Sequence, residues 1–543
     1  MFVVEKVARG HRYLYLAESV RENGRVRQRL IRALGRKDLL AASGELDRLA
    51  ESLGRHCERS LILSEIDAGS LSAVRIGGPL LFGRLWERLG VGEILGELLK
   101  ARGFEFAVER AVFVSVLHRL FVSGSDRSCE KWAEDYRIPG VEGLQLHHLY
   151  RAMAWLGEMI EEKSEAALAP RCVKDVIEER LFDRRRDLFT DLSIVFMDTT
   201  TLSFYGEGGE TLGAHGHSKD YRPDLKQMVL AVVIDSQGRP ICTEMLPGNT
   251  ADTTVLVPIV DRLRDRFGVG RVCVVADRGM ISAATVAALE NRGLEYILGA
   301  RERSSAVARD LVMNDETPFV PLQIERVRGE TQLFVKEVTV SGQRYIVCRN
   351  EAEAEKDRSD RRAIVEGLEK QLKRGDKALI GNKAYRRYLR ATAKDAFEID
   401  LGKLAEEARY DGIFVLRTNA KINPLNAVLR YRDLLQVEDL FRRAKAHMRT
   451  RPIYHSSDEA IRGHVFCSYL ALALQKELTD LCARKGLVLE WADLLRDLDR
   501  LQEATIEKDG KRITTRTYVT GQVGSAFQAA GVALPQNLRE QAA

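Results

Sequence analysis

The chain has 543 residues, too many for a single hydrophobic core, so several domains are expected. Its 45% apolar and 30% charged residues suit a soluble globular protein, and the net charge of +5, left from 84 Lys and Arg against 79 Asp and Glu, is too small to define a partner. The opening stretch MFVVEKVARGHRYLYLAESVREN has no uninterrupted apolar run, which argues against a signal peptide or a membrane span. Eight cysteines form no CxxC pair and read as reduced core thiols of an intracellular protein.

Residues 12–36 read as a β-hairpin, with RYLYLAES alternating, Asn23-Gly24 as the turn and RVRQRLIRALGR returning. Arg25, Arg27 and Arg29 fall on one side of the second strand, where they fit either a phosphate backbone or a solvated edge strand kept apart by charge. Residues 38–66 read as polar helix and close an N-terminal arm, 1–66. From Pro79 the apolar spacing becomes helical, and 67–190 is expected to be a helical scaffold or DNA-binding region, with Arg119, Arg127, Lys131 and Arg151 as its cations. His147 and His148 lack partners at metal-ligand spacing.

Composition changes at 191. DLSIVFMDTTTLSFYG opens with a buried strand running into Asp198, MVLAVVIDSQGRPICTEMLPGNT reads as a hairpin, TADTTVLVPIVDRLRDRFG as an amphipathic helix, and RVCVVADRGM as a strand ending on Asp277. A helix and a further strand follow, giving the order β-β-β-α-β-α-β over 191–301. Residues 302–405 break the pattern with Gly-turned antiparallel strands and a charged helix, YDGIFVLRTNA resumes it over 406–480, and the tail 481–543 reads as helical, then polar and Gly-rich.

Tyr431–Lys445, YRDLLQVEDLFRRAK, lacks Gly and Pro and reads as one helix, with Asn423 and Pro424 as a start signal upstream. Steps of seven residues put Tyr431, Glu438 and Lys445 on one face, with Arg442 one turn after Glu438. Asp198, Asp277 and Glu438 are therefore three carboxylates in settings where each needs a cation, a donor or a proton. Hard divalent ions take oxygen ligands, and a pair of them clamps both oxygens of an in-line displacement at phosphorus.

VFMDTTTLSF, HGHSKDYRPDLKQMVLAVVIDSQGRPICTEMLPGNTAD, VVADRGM and YRDLLQVEDLFRRAK together resemble bacterial insertion-sequence transposases of the DDE class, in the group with the Tyr-x2-Arg-x3-Glu-x6-Lys signature. Tyr431, Glu438 and Lys445 keep those spacings, while Leu434 stands where the group has Arg. The resemblance implies an α/β fold, with an RNase H-like mixed-sheet catalytic core interrupted by a β-rich insertion and preceded by a mostly helical N-terminal region. It implies Asp198, Asp277 and Glu438 as ligands of two Mg²⁺ ions, for which Mn²⁺ substitutes. Tyr431 and Lys445 would contact end phosphates, with Arg442 in place of the missing Arg, and Arg278, His217, Lys219 and Arg222 as further DNA contacts.

The implied reaction is phosphoryl transfer without a covalent enzyme intermediate: water cuts the transposon end, and the released 3′-OH attacks target DNA. The implied partners are transposon-end DNA, target DNA and a second copy of the chain when DNA is bound, with no membrane, in the bacterial cytoplasm. Some relatives stack a flipped base on a Trp of the insertion; here the four Trp are 86, 132, 155 and 491, and Tyr385 or Tyr388 is the substitute inside 302–405. An RNase H-fold nuclease that does not join DNA, and an inactive DNA-binding derivative, share these motifs.

Overall fold

The computed structural model describes residues 1–22, 25–54, 56, 71–161, 168–186, 194–269, 272–300, 306–324, 331–373, 388–393, 396–508 and 511–542. They form two compact units. One comprises Met1–Val74, Leu501–Tyr518 and Leu534–Ala543, the other Arg75–Arg500 and Val519–Ala533.

In the first unit, strands Phe2–Ala8, His11–Glu22 and Arg25–Arg36 form an antiparallel sheet. The expected hairpin is its second and third strands. The extra first strand enters through Arg9-Gly10, both at positive φ, the two-residue turn whose twist suits a hairpin. Asn23-Gly24 lies outside the described residues. Arg29 pairs with Glu18 on the neighbouring strand, Arg27 is exposed opposite Val20, and the side chain of Arg25 lies outside the description. Short helices Lys37–Ala42 and Glu45–Gly54 follow.

The tail read as helical does hold helices Trp491–Arg500 and Val523–Ala530, but it also supplies strands Gln502–Lys508, Lys511–Arg516 and Leu538–Ala542, ordered beside Leu71–Arg75 in a four-stranded sheet. The cause is β-branched alternation in ATIEK and RITTR, which lets Thr505 and Thr514 meet through a buried hydroxyl pair at 3.1 Å.

In the second unit the apolar helical spacing yields helices, among them Gly77–Leu89, Val108–Phe121 and Leu146–Leu156, while the charged stretch read as a connector from Asp175 lies in a further helix, Val173–Arg185. Arg119, expected on a DNA-facing surface, is instead a core residue, 2% exposed and 2.8 Å from His464 Nδ1. Among the described residues no helix is long and apolar enough to cross a membrane, and the seven described cysteines are all buried and free.

A nine-stranded mixed sheet carries the rest: β1 (Ile194–Ser203), β2 (Gln227–Ile234), β3 (Pro240–Pro247), β4 (Cys273–Ala276), β5 (Glu295–Gly299), β6 (Val320–Ile324), β7 (Thr331–Val340), β8 (Gln343–Asn350) and β9 (Ile413–Thr418). Their order is β6-β7-β8-β9-β5-β4-β1-β2-β3. β1, β4 and β5 run parallel and all other pairings are antiparallel. β6–β8, drawn from the stretch that interrupts the sequence pattern, thus extend this sheet through β9.

Helices α1 (Asp252–Phe267) and α2 (Ala283–Asn291) cover one face, burying Val255, Ile259, Leu263 and Val286 against Val195, Met197, Val274 and Leu298. A charged helix, α3 (Glu351–Leu372), follows β8. α4 (Pro424–Asp433) and α5 (Leu435–Arg442) follow β9, and α5 packs on β1 and β2. α6 (Asp458–Ala483) is buried along most of its length against Val108–Phe121, Leu146–Leu156 and β3. A buried charge cluster joins helix Val173–Arg185 to α1 and β3: Arg266 reaches Glu178 at 2.7 Å and Glu244 at 3.2 Å, and Arg262 reaches Asp175 at 2.9 Å.

Candidate functional site

Asp198 sits in the middle of β1 and not at its end. Thr199–Thr201 are β-branched, and pairing with β2 continues to Ser203, so the strand outruns the acid. Alternation along β1 sends Val195 and Met197 to the α1/α2 face and Asp198 to the opposite one, over which α5 crosses. Asp277 does terminate β4, and a tight turn, Arg278–Met280, follows it. Glu438 lies on the first turn of α5.

The expected single helix from Tyr431 is broken at Leu434. Leu434 and Val437 each bond back three residues, to Tyr431 and Leu434, and both are buried. A second irregularity, the wide turn Arg443–His447, ends the segment. The upstream start is as read: Asn423 caps α4 by accepting from the Asn426 N–H at 2.7 Å, with Pro424 next.

The three acids feel one another. Burial pushes the Asp198 carboxyl up to about 6, and the charges of Asp277 and Glu438 add to it, while Lys219 and the Thr199 N–H oppose the rise. Glu438 is raised as well, by burial first and by Asp277 second. Tyr431 Oη donates to Asp277 Oδ1 at 3.0 Å, its ring lies 5.9 Å from that of Phe414, and burial with the Asp277 charge raises its phenol. Among the described residues no group of three or more His, Cys, Asp or Glu side chains is gathered to hold a metal ion. The donor set still fits a hard divalent cation by its chemistry: oxygen ligands only, partly desolvated, and repelling one another in a way that a cation relieves.

The expected DNA-contact residues divide. Lys219 lies inside the centre: its Nζ is 2.7 Å from Thr199 O, 2.8 Å from Thr199 Oγ1, 3.2 Å from Asp252 Oδ2 and 3.9 Å from Asp198 Oδ1. Lys445 is half-buried, paired with Asp220 at 2.9 Å, and burial lowers its ammonium. Arg451 holds the other oxygen of Asp220. Arg442 is exposed and pairs with Asp439 at 2.6 Å, and Arg222 is held by Asp224. His217 is exposed, and Arg278 sits in the turn after Asp277. Tyr388 is buried against Leu368 and Leu389, out of reach of a base, and Tyr385 lies outside the described residues.

Sequence reasoning missed Asp220 and Asp252. Both stand in the quoted HGHSKD and GNTAD segments, but Asp252 reads as an ordinary first-turn helix acid and Asp220 as surface charge. Thr199 Oγ1 donates to Asp252 Oδ1 at 2.7 Å. A Cβ placed on Gly279 would meet Asp252 Oδ2 at 3.7 Å and Asp277 Oδ2 at 3.9 Å, so the two acids border the same space.

Asp198 on β1 thus faces the helix that carries Glu438, with Lys219 3.9 Å from it, while Tyr431 donates to Asp277 at the end of the adjoining β4. Residues 3–66 match the IS1634 family transposase N-terminal domain, and residues 190–474 match the transposase DDE domain. The second match spans more than half of the chain, which therefore belongs to the DDE transposase family. It is an insertion-sequence DNA transposase, a metal-dependent polynucleotidyl transferase or nuclease. No curated protein matches the chain. Among solved structures, the piggyBac transposase synaptic complex with hairpin DNA, determined by cryo-EM, matches at 12% identity over 78% of this chain and 79% of that one, with a TM-score of 0.34, too low to bear on this fold.

Proposed function

We propose that the chain binds the terminal inverted repeats of its element, hydrolyses the transposon ends and joins the freed 3′-OH to target DNA, working as a homodimer on DNA in the bacterial cytoplasm. The observation that carries this is the placement of the three acids: α5 with Glu438 packs on β1 with Asp198, β1 pairs with β4, which ends at Asp277, and Tyr431 just before α5 donates to Asp277 at 3.0 Å. The sheet order β5-β4-β1-β2-β3, with β1, β4 and β5 parallel, supports an RNase H-like core.

Two Mg²⁺ ions, or Mn²⁺ in their place, held by the three acids would neutralise charge at the reacting phosphate. The protein's own residues do the rest. Tyr431 fixes one oxygen of Asp277. Lys445 and Arg451, now held by Asp220, supply positive charge for an end phosphate. Arg278 and Arg442 lie beside the same acids, and Arg25, Arg27 and Arg29 line the N-terminal arm, where they follow the backbone of the end duplex.

The test uses duplexes made from the DNA flanking the gene. Asp198→Ala, Asp277→Ala and Glu438→Ala should each abolish Mg²⁺-dependent cleavage while a gel shift shows undiminished DNA binding. Near-normal cleavage by any one removes that residue from the set.

A further inference from the structure

We propose that Lys219 and Asp252 are positioning residues of the catalytic centre, with Asp252 holding the Lys219 ammonium off Asp198 so that Asp198 stays open to a divalent cation. This rests on the reading of Asp198 as a metal ligand.

The geometry is asymmetric. Lys219 Nζ stands 3.2 Å from Asp252 Oδ2 but 3.9 Å from Asp198 Oδ1, so its closer ion pair is with Asp252 and Asp198 is held at the edge of contact. Thr199 completes the hold. Its carbonyl and hydroxyl oxygens accept from Lys219 at 2.7 and 2.8 Å, and its hydroxyl donates to Asp252 Oδ1 at 2.7 Å. The Lys219 backbone N–H donates to Thr201 Oγ1 at 3.1 Å, fixing the root of the side chain to β1. Asp252 is anchored on the first turn of α1.

Without the Asp252 charge, Asp198 becomes the nearest carboxylate to the ammonium. A direct Lys219–Asp198 bridge would then occupy an oxygen that a cation needs. Asp252 is therefore expected to act through Lys219 and not as a ligand itself.

The experiment measures Mn²⁺ binding to the full chain by calorimetry without DNA, for wild type, Asp252→Asn, Lys219→Met, the double variant and Asp198→Ala, with thermal unfolding to confirm that each is folded. Asp252→Asn should weaken Mn²⁺ binding about tenfold, within the range that outer-shell partners of metal ligands command. The double variant should recover to within about threefold of wild type, because removing the ammonium removes the need to restrain it. A double variant as weak as Asp252→Asn would make Asp252 a ligand or a purely structural residue and overturn the proposal, as would wild-type affinity in Asp252→Asn. Wild-type affinity in Asp198→Ala would overturn the placement of the metal and the proposal with it, whereas loss in Asp198→Ala with none in Asp252→Asn fails this proposal alone.

Discussion

Lys445 Nζ and Asp220 Oδ1 lie 2.9 Å apart, joining the end of the segment that carries Glu438 to the turn after Lys219. Asp220 also binds Arg451, so one carboxylate occupies two cations that a DNA phosphate would otherwise engage. Lys445→Ala should slow end cleavage while leaving Mn²⁺ affinity unchanged, since the metal is held by carboxylates. Asp220→Asn should release both cations, tightening DNA binding several-fold and steepening the salt dependence by about one to two phosphate contacts. Gel shifts across a salt series give the slope; a slope equal to wild type would show that neither cation reaches DNA.

The Asp198 carboxyl, raised to about 6 by burial and its acidic neighbours, makes metal-free stability fall as pH rises. The native state keeps the proton to higher pH than the unfolded chain, so the penalty is absent below about 4 and complete above about 6. Asp198→Asn should therefore be about 2–3 kcal/mol more stable than wild type at pH 8 in chelator, with the gap closing toward pH 4. Metal binding needs the ionised form, so Mn²⁺ affinity of the wild type should drop about tenfold per pH unit below about 6. Urea unfolding at several pH values measures the first effect and calorimetry the second.

Gly299 closes β5 directly beneath Tyr431, and a Cβ there would overlap Tyr431 Oη and stand 3.0 Å from the Arg278 N. Gly299→Ala should push the phenol from Asp277 and cut the cleavage rate roughly 10- to 100-fold, the scale of losing an orienting partner of a metal ligand. Adding Tyr431→Phe removes the worst overlap and leaves the 3.0 Å approach to the Arg278 N, so the double variant should cleave only slightly more slowly than Tyr431→Phe alone. A rate equal to the product of the two single losses would mean that the two positions do not act through this contact.

Arg266 is 6% exposed at its side chain and serves Glu178, Glu179 and Glu244 together. Arg266→Ala leaves buried carboxylates uncompensated and should cost about 3–5 kcal/mol. Denaturant unfolding of the pair should show the loss with an unchanged m-value. A loss under about 1 kcal/mol would mean that solvent reaches the cluster.

The place of Asp277 at a strand end was legible because CVVA is a short, wholly apolar strand that stops at an acid, and the place of Glu438 on a helix because its neighbours have helical composition. Asn423-Pro424 announced a helix start for the same local reason. The break at Leu434 was not legible: nothing in YRDLLQVEDLF departs from helical composition, and the break depends on what Leu434 and Val437 pack against. The roles of Lys219 and Asp252 were hidden because they depend on Thr199, which lies 20 and 53 residues away along the chain. The union of β8 with β9 was hidden likewise, since the alternation within each strand names no partner.

β9 lies between β5 and β8, so the strand that seals β5 is separated from it by residues 300–412. A ribosome delivers Asp198 and Asp277 early and leaves the β5 edge uncovered until β9 emerges, with Glu438 later still. Any product truncated in that interval carries two of the three acids and an open strand edge suited to pairing with another chain. A chain stopped in that interval therefore ends with β5 unsealed and without the helix that bears Glu438.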